Sequence, residues 1–512
     1  MKLITIQFCI FLTEKVLDIE VKIPTRNLNP LMKKKPKQLM KIFLLIITVL
    51  FVFEGNAQRK LKPEKLKEDF DILVTELKLE HQGLYQYTDQ NQTNAKIDSV
   101  RNTLNTPHTK LEFYQKLRYL ISLTNEGHTS IIIPKWSRIK LGLSKSFLPL
   151  TVKVLEGNLI ITQNYGKDIG KLKKGSKIIS VNHKKVNHIL DRLYPLITTD
   201  GFNETSKKEW IGGINFSLLY RLVYGKEKEF ELQVQEFGSD KIQTIKIPAV
   251  RYAKFKRKNA KLKSITFDYV QFKFEHIQDS IAYLSIPSFS DHDDKYEKFL
   301  QSNFKKIDSL NIKHLIIDIQ ANGGGTEGNG NLLFSYLSEE VIQKYKQVTM
   351  LPKPYHKNKE DGGYIEDQWR IQDRIAKRGD LTLYSDYYSD LGYRKPLKDL
   401  IYKENLYVLT SGRTFSGGAE FASMVKMTNR GLFIGEETGG TYEGNVSGYS
   451  EYLKLPNSKI KIKIPIVHFQ MNVSPEIKGR GVMPDHEVPQ TWDAYLKGKN
   501  AKKEFTIKNI IE

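Results

Sequence analysis

The sequence predicts a mixed α/β protein whose C-terminal half is built around a largely parallel sheet. From Ser280 onward, short apolar runs typical of buried strands alternate with loops and with segments of helical periodicity. Residues 138–260 contain several short strand-like runs with only one or two helices, and residues 58–137 show helical spacing. We therefore predict three folded parts, of which the last spans residues 261–512.

Composition restricts the class of protein and its partners. The chain has 512 residues, and its 40% hydrophobic and 11% aromatic content allows sizeable cores. The net charge is +22, but the lysines are scattered and mixed with acidic residues, which indicates a solvated surface. No nucleic-acid-binding motif accompanies them, so we expect no nucleic-acid partner. The only cysteine is Cys9, which excludes a disulfide framework or a cysteine-based zinc cluster from the folded part.

Residues 1–57 are predicted to be an upstream extension followed by a signal peptide. A basic segment, Lys33–Lys41, precedes a run of twelve mainly apolar residues, Ile42–Phe53, and small polar residues follow with a plausible cleavage site after Ala57. As a helix this run extends only ~18 Å, which is short of the ~30 Å core of a bilayer. We expect a periplasmic or secreted protein that meets the membrane only through this segment; an uncleaved anchor is the alternative, and Met40 is a candidate start.

The mature chain is predicted to open with two helices. Apolar residues recur with helical spacing between Leu61 and Tyr87, and "TKLEFYQKLRYLISL" begins with the capping-box pair Thr109 and Glu112. This unit ends at "NEGHTSIIIP", a turn and a short strand that Pro134 stops.

The next part reads as a compact module of strands. "LPLTVKVLEGNLIITQ" predicts a hairpin around residues 156–158, and "KIISVNHKKVNHILDRL" predicts a strand, a tight turn at Asn182 and His183, and a helix. A binding module and a spacer without a ligand both fit this pattern. The basic run at 251–264 is predicted to be a linker or an exposed loop.

Two loops in the predicted α/β core follow strands and precede helices, where such folds carry their chemistry. The first, "DIQANGGG", contains Gly323, Gly324 and Gly325. Glycines expose backbone N–H groups and permit positive φ, so this loop can point donors at a phosphate or an oxyanion. It lacks the lysine of a P-loop, and on its own a glycine run more often forms only a tight turn.

The second loop lies in "SGRTFSGGAEFASMVK", residues 411–426, and places Ser416 between a strand and a helix. Serine is a favoured helix N-cap, and the local pattern alone favours that interpretation. The alternative is a nucleophile, which requires a nearby base, with Gly417 and Gly418 allowing a substrate to approach closely. No GxSxG motif is present, so an α/β-hydrolase is not indicated.

Four motifs in order carry a family resemblance: "LIIDIQANGGG", "YVLTSGRTFSGGAEFASMVK", "GLFIGEETGG" and "GRGVMPDHEV". Together they resemble the C-terminal-processing (tail-specific) peptidases, a family that includes the tricorn core proteases, over residues 280–490. Upstream, "GSKIISVNHKKV" resembles the PDZ-like module of that family more weakly. The resemblance implies a crotonase/ClpP-like catalytic core, a PDZ-like module at 138–260, and a serine endopeptidase that needs no metal or organic cofactor.

The resemblance also implies roles for residues. It makes Ser416 the nucleophile and assigns the oxyanion to backbone groups of Gly417 and of the glycine loop at Gly323 and Gly324. The family's lysine base is missing, because Thr441 stands at the aligned position and no lysine follows before residue 454. The sequence therefore resembles the tricorn-like Ser/His branch more than the Ser/Lys branch.

In that branch the base is a histidine from an earlier segment with an acidic partner. His128 in "NEGHTS" is the candidate base, since a neutral imidazole suits proton removal from a serine; a structural hydrogen bond is the alternative. Glu476 is the candidate acidic partner, with Glu436 and Glu443 as rivals, and each also fits a surface carboxylate. Asp318, at a predicted strand end, is expected to hold the glycine loop.

These expectations define one leading function and one alternative. The leading one is a periplasmic or secreted serine endopeptidase that hydrolyses peptide bonds of peptides or unfolded protein tails through an acyl-enzyme, with the 138–260 module binding a chain end by β-augmentation. The alternative is a non-catalytic peptide-binding protein on the same scaffold, which the missing lysine keeps open. An acyl-CoA enzyme of crotonase type shares the architecture but fits poorly with a signal peptide.

Overall fold

The structure is a computed structural model that describes residues 60–166, 172–261, 272–290, 294–326, 328–350, 375–378, 382–385, 393–394 and 399–511. The predicted extension and signal peptide lie outside the described residues. From Lys60 onward the chain forms one unit. Among the described helices, none combines the length and the apolar character needed to cross a membrane.

The helices are α1 (Pro63–Glu80), α2 (Gln90–Asn102), α3 (Lys110–Ser122), α4 (Lys135–Leu143), α5 (Val186–Leu193), α6 (Glu204–Trp210), α7 (Asn215–Tyr224), α8 (Tyr252–Lys261), α9 (Lys295–Ser309), α10 (Asn329–Ser335), α11 (Gly417–Met427), α12 (Trp492–Leu496) and α13 (Ala501–Thr506). The strands are β1 (Ser130–Ile132), β2 (Lys145–Phe147), β3 (Leu150–Leu155), β4 (Asn158–Asn164), β5 (Lys177–Val181), β6 (Lys184–Lys185), β7 (Glu229–Gln235), β8 (Ile242–Pro248), β9 (Val250–Arg251), β10 (Lys273–Gln278), β11 (Ile281–Ser285), β12 (His314–Asp318), β13 (Ile342–Gln343), β14 (Tyr345–Met350), β15 (Ile375–Arg378), β16 (Thr382–Ser385), β17 (Tyr393–Arg394), β18 (Asn405–Thr410), β19 (Leu432–Gly435), β20 (Gly444–Lys454), β21 (Lys461–Met471) and β22 (His486–Glu487).

A central sheet with the order β10-β11-β12-β18-β19-β22 forms the core of the C-terminal half. All neighbours from β11 to β22 are parallel, and β10 joins antiparallel at the edge. The strands are apolar runs because both faces are covered: Leu315 and Ile317 of β12 belong to one buried cluster, while Ile316 belongs to another on the opposite face. The predicted mixed α/β class is therefore confirmed.

A second sheet joins β1, which follows the N-terminal helices, to strands of the C-terminal half. Its order is β1-β21-β14-β16-β15, and β20 pairs with β21 as a long hairpin. The short strand β1 lies antiparallel on the other edge of β21, with Ser130 opposite Lys463. This pairing brings the "NEGHTS" turn, which directly precedes β1, to the catalytic half of the molecule.

The third sheet, β3-β4-β5-β7-β8 with β6 on β5, lies in residues 138–260. The predicted hairpin is confirmed: Glu156 and Gly157 link β3 to β4 with φ of 49° and 72°. Asn182 and His183 form the predicted tight turn, with φ of 48° and 62°. Positive φ at both positions is what a two-residue turn between twisted strands requires. The PDZ-like identity of this part stays a prediction.

Residues 138–260 contain more helix than predicted. The segment "NFSLLYRLVY" is helix α7, and α6 precedes it. Its buried residues Phe216, Leu219 and Tyr220 lie at the i, i+3 and i+4 positions of one helix face, so helical periodicity was present in the sequence and our prediction missed it.

The prediction of a loop at 251–264 was wrong for residues 252–261, which form α8. Tyr252 and Phe255 lie three positions apart on one helix face, and their rings pack on Phe147 and Tyr165, respectively. Phe255 is only 1% exposed. Two aromatic anchors therefore order a helix whose charged residues remain on the solvent side.

The N-terminal helices and the β20–β21 hairpin share one hydrophobic core. The predicted capping box is confirmed, since Glu112 N–H donates to Thr109 Oγ1 at 3.3 Å and Thr109 N–H donates to Glu112 Oε2 at 2.7 Å. Asp69 of α1 is fully buried and accepts the backbone N–H groups of Asn457 (2.8 Å) and Ser458 (2.7 Å) in the hairpin turn. One carboxylate thus joins α1 to the hairpin.

We predict that Asp69→Ala lowers the free energy of unfolding by about 2–4 kcal/mol, because two N–H groups in the turn lose their acceptor. Chemical denaturation followed by tryptophan fluorescence measures this. The control is Glu68→Ala, an exposed neighbour that contacts Asn457 Nδ2 at 3.0 Å and should change stability by less than about 0.5 kcal/mol. Equal effects of the two substitutions would contradict the stabilising role of the Asp69 carboxylate between α1 and the hairpin turn.

Candidate active site

Ser416 lies between β18 and α11 in a strained backbone conformation, with φ of 54° and ψ of −130°. A non-glycine residue held there costs about 1–3 kcal/mol, and such strain is concentrated at functional sites. Its carbonyl accepts Glu420 N–H at 2.9 Å, but its hydroxyl accepts no hydrogen bond from the helix N-terminus. The N-cap interpretation is therefore not supported, and the hydroxyl faces a cavity.

The glycine loop after β12 approaches this serine closely. A Cβ atom on Gly324 would lie 2.8 Å from both Gly417 N and Ser416 Cβ, and 3.1 Å from Ser416 Oγ. The φ of Gly324 is 91°, a conformation that glycine adopts without steric cost. Only a glycine allows the loop to lie against the serine.

Asn322 fixes the loop to the serine turn. Its carbonyl accepts Phe415 N–H at 2.9 Å, its Nδ2 donates to Ile286 O at 3.1 Å, and its Oδ1 accepts Gly324 N–H at 2.9 Å. Asn322 is fully buried, so these bonds are shielded from water. The ends of β11, β12 and β18 are thereby held at one place.

This network changes the predicted oxyanion donors. The N–H of Gly324, which we had assigned to the oxyanion, is already bonded to Asn322. The N–H groups of Gly417, Gly323 and Gly325 have no hydrogen-bond acceptor among the described residues. Gly417 N–H, at the start of α11, and one of the flanking loop N–H groups are therefore the available donors.

His128 is oriented by Glu126. Its Nδ1 lies 2.7 Å from Glu126 Oε1, which also accepts the backbone N–H of His128 at 3.0 Å, while Oε2 accepts Val446 N–H at 2.7 Å. A carboxylate that accepts all of these bonds requires the proton on Nδ1, which leaves the lone pair on Nε2. The imidazole stacks on Phe415, the residue before the serine, at 4.7 Å between ring centroids.

The electrostatic surroundings keep this imidazole neutral. Burial lowers the pKa of His128 below its usual value, and the Lys463 cation lowers it further, while Asp200 and Glu420 act in the opposite direction. A neutral imidazole at neutral pH is the form that removes a proton.

Behind Glu126 lies a second buried carboxyl group, Asp200. Its Oδ1 accepts Gly127 N–H at 2.7 Å, whereas Oδ2 has no other N–H or O–H donor among the described residues and faces Glu126. Burial raises the pKa of Asp200 well above its usual range, with the Glu126 charge adding to the effect, and burial raises the pKa of Glu126 to about 7. Two adjacent buried carboxyl groups favour retention of one shared proton.

The same side chains could also act as ligands of a metal ion. Within the described part of the chain, Glu126, His128 and Asp200 each offer one ligand atom, and the three atoms lie within 4.8 Å of one another. The shared proton and the Glu126–His128 bond account for the cluster by hydrogen bonding, so the mechanism below uses no metal.

A cavity of about 180 Å³ brings the two predicted catalytic residues together. His128 and Ser416 both line it, as do Gly417, Lys344 and Lys463. Sequence reasoning missed both lysines, because Lys344 lies between β13 and β14 and Lys463 lies in β21, outside the four motifs.

The predicted acidic partner lies elsewhere. Glu476 is exposed and does not line the cavity. Of its rivals, Glu436 accepts a bond from Lys502 at 2.8 Å and Glu443 accepts Gly479 N–H at 3.0 Å. The geometry supports none of the three as the residue that orients the imidazole, because Glu126 occupies that position. Sequence reasoning could have found Glu126 from its position, because it lies two residues before His128 in the same turn.

Two other residues singled out in the sequence have structural contacts. Thr441, aligned with the family's lysine, is buried, and its hydroxyl donates to the Gly444 carbonyl. Asp318, at the end of β12, accepts Tyr283 Oη at 2.6 Å and Gln320 N–H at 2.9 Å, so it braces the start of the glycine loop.

A serine that lines one cavity with a carboxylate-oriented imidazole and with backbone N–H groups resembles the arrangement used by serine hydrolases. Comparison with known proteins narrows this class. Residues 280–488 match peptidase family S41, and this match identifies the protein as a serine peptidase. The match confirms the family resemblance, and the choice between the Ser/His and Ser/Lys branches belongs to the proposal below.

Solved structures of CPAF are similar in fold. Mature CPAF is 16% identical, with 87% of this chain and 96% of that chain covered and a TM-score of 0.59. A serine-to-alanine mutant of CPAF is 15% identical over 87% and 96% of the two chains, with a TM-score of 0.61. Mature CPAF complexed with lactacystin is 15% identical over 87% and 97%, with a TM-score of 0.59. No curated protein sequence matches the chain at a significant level.

The carboxyl pair of Glu126 and Asp200 should make the stability of the fold depend on pH. Both folded-state pKa values lie above the unfolded value near 4, so the folded protein binds the proton more tightly. The stability from this pair is fully present below the unfolded pKa and is lost as pH rises through the folded pKa, about 7 for Glu126.

Asp200→Asn removes one ionisable group and supplies a permanent amide donor to Glu126. We therefore expect the change in Tm, variant minus wild type, to be more positive at pH 8 than at pH 5 by at least about 2 °C. Thermal melts at the two pH values measure it, with the exposed Asp240→Asn as control. Parallel pH dependence in Asp200→Asn and wild type would show that the pair shares no proton.

Proposed function

We propose that this protein is an exported serine endopeptidase that hydrolyses peptide bonds in peptides or unfolded protein tails through an acyl-enzyme on Ser416. One observation carries the proposal: the hydroxyl of a strained serine makes no capping bond and lines the same cavity as His128, whose ring a buried carboxylate orients. Such a residue would be a poor structural cap and is suited to nucleophilic attack.

In the first half-reaction, Ser416 Oγ attacks the scissile carbonyl carbon while His128 Nε2 takes the hydroxyl proton. Glu126 stabilises the imidazolium that forms, and Gly417 N–H with one glycine-loop N–H receives the charge on the carbonyl oxygen. The N-terminus of α11 adds a favourable dipole. When the C–N bond breaks, His128 gives its proton to the leaving amine.

In the second half-reaction, water attacks the acyl-enzyme carbonyl carbon and His128 again takes a proton. Collapse of the second tetrahedral intermediate breaks the bond to Ser416 Oγ, which recovers its proton from His128. The peptide leaves with a new C-terminal carboxylate.

His128 is the proposed base because two contacts fix its ring, the bond to Glu126 and the stacking on Phe415. Lys463 lines the same cavity and is the competing base of a Ser/Lys mechanism. Lys344 is a weaker competitor, since its Nζ lies 2.6 Å from Glu420 Oε2 and a cation in an ion pair is a poor base.

The alternative of a non-catalytic peptide-binding protein on this scaffold is less well supported. Binding alone would require neither the backbone strain at Ser416 nor an imidazole with a free Nε2. The module at 138–260 would serve either function by pairing a peptide with a sheet edge.

A covalent serine probe separates the catalytic proposal from its alternatives. Ser416→Ala should abolish labelling by a fluorophosphonate and lower kcat on an unfolded, fluorescently labelled polypeptide by about 10⁴–10⁶-fold, and His128→Ala should act similarly because the two residues work as a unit. Lactacystin, bound in the CPAF complex, is a second probe.

Ser302→Ala, on the exposed face of α9, is the control and should match wild type. Labelling that survives in Ser416→Ala would remove the nucleophile assignment. Labelling that survives in His128→Ala but is lost in Lys463→Met would move the chemistry to the Ser/Lys branch.

Export is proposed from the sequence of residues 1–57, which carry the basic, apolar and small-residue order of a signal peptide. N-terminal sequencing of the protein from the periplasmic or extracellular fraction should give Gln58 as the first residue. Recovery from the cytoplasmic fraction with residues 40–57 attached would contradict export with cleavage.

A further inference from the structure

The cavity at Ser416 contains two lysines whose surroundings differ. Lys344 is 4% exposed and its Nζ lies 2.6 Å from Glu420 Oε2. Glu420 also accepts Tyr345 Oη at 2.8 Å and Asn445 Nδ2 at 3.1 Å. The Lys344 charge is thus compensated by a carboxylate that is itself held in place. Both residues of this ion pair line the cavity.

Lys463 has no such partner. It is half-buried on β21 and lines the cavity, but forms no ion pair with any carboxylate among the described residues. Its neighbours across the sheet are Ser130 on β1 and Tyr452 on β20. Neither can neutralise an ammonium group, so the cavity holds one uncompensated positive charge.

We propose that Lys463 selects substrates with a carboxylate next to the scissile bond, either an Asp or Glu side chain or the C-terminal carboxylate of the peptide. The inference rests on the proposed function. A half-buried cation gains from a counter-charge that the free protein does not supply. A peptide carboxylate supplies it when the substrate binds.

The size of the site limits where the carboxylate lies on the substrate. The volume of about 180 Å³ accommodates roughly a side chain, and Lys463 and Ser416 line the same space. We therefore place the carboxylate bound to Lys463 on a residue close to the bond that Ser416 attacks. Removal of residues 1–57, with nine basic and four acidic residues, lowers the net charge from +22 to +17, a positive charge that also favours the approach of acidic peptides.

A matched peptide series tests this selection. Internally quenched peptides carry one Glu, or Gln at the same place, scanned through positions on both sides of the cleaved bond, with free or amidated C-termini. We expect kcat/KM to favour Glu over Gln by about 10-fold or more at one position, or the free over the amidated terminus by a similar factor. The first result identifies a side-chain carboxylate and the second identifies a C-terminal one.

In Lys463→Met the preference should fall to about 1, and in Lys463→Glu it should reverse in favour of a Lys-containing peptide. Lys346→Met, an exposed lysine on β14, is the control and should keep the wild-type preference. A wild-type enzyme that cleaves Glu and Gln peptides equally at every position and ignores amidation would overturn the inference while leaving the proposed function intact. A preference that persists in Lys463→Met would do the same.

Binding separates failure of this inference from failure of catalysis. In the Ser416→Ala background, fluorescence anisotropy should show that the preferred carboxylate peptide binds about 10-fold more tightly than its neutral analogue, and that Lys463→Met removes the difference. If wild type neither cleaves nor labels but this difference is present, the peptidase proposal fails and carboxylate recognition stands. Equal binding of the two peptides overturns carboxylate recognition.

Discussion

The bond between Glu126 and His128 is the constraint on which the candidate site depends. It fixes the proton on Nδ1 and leaves Nε2 for the serine hydroxyl, so it decides the chemistry that the imidazole can perform. The same carboxylate accepts Val446 N–H from β20, which ties the "NEGHTS" turn to the long hairpin. His128, which is far from Ser416 in sequence, is thereby held against Phe415, the residue immediately before the serine. Without that carboxylate, the imidazole would be a half-buried ring free to rotate about its side chain.

Placing Glu126 under the imidazole has an electrostatic cost that Asp200 reduces. A buried carboxylate is unfavourable unless its oxygens are satisfied, and Glu126 accepts two backbone N–H groups as well as the histidine. The shared proton lets Asp200 contribute a donor rather than a second negative charge. Because Glu126 titrates near neutral pH, the arrangement differs from a simple ionised triad: protonation of the pair weakens the support for an imidazolium, and ionisation of both groups destabilises the fold. The proposed mechanism therefore requires that the pair hold a single proton.

The sequence predicted the elements that obey local rules and missed those set by contacts between distant segments. The capping box, the Glu156–Gly157 hairpin and the parallel core follow from short-range patterns, and each is present. Ser416 and His128 were identified only because four motifs resemble one family, since the serine alone looked like a cap. Glu476 was chosen by alignment with that family, whereas the orienting carboxylate lies two residues from the histidine. The bond from Gly324 N–H to Asn322 depends on backbone geometry, and helix α8 depends on two aromatic partners, Phe147 of β2 and Tyr165 just after β4. Contacts of this kind between distant segments do not change the local hydrophobic periodicity.

The pairing of β1 with β21 links the base to the proposed recognition of substrate. Ser130 lies opposite Lys463, and His128 is two residues before Ser130, so the register of β1 on β21 sets where the imidazole lies relative to the Lys463 ammonium group. Side chains alternate along a strand, so a slip of one residue in β1 would turn Ser130 to the opposite face of the sheet, whereas Lys463 is held by the longer pairing of β21 with β20. The same slip would draw the "NEGHTS" turn away from Phe415. The short length of β1, three residues, provides few hydrogen bonds to resist such a slip, so the bonds from Val446 N–H to Glu126 and from Gly127 N–H to Asp200 must hold the register from the turn. The buried carboxyl pair thus aligns the strand as well as the base.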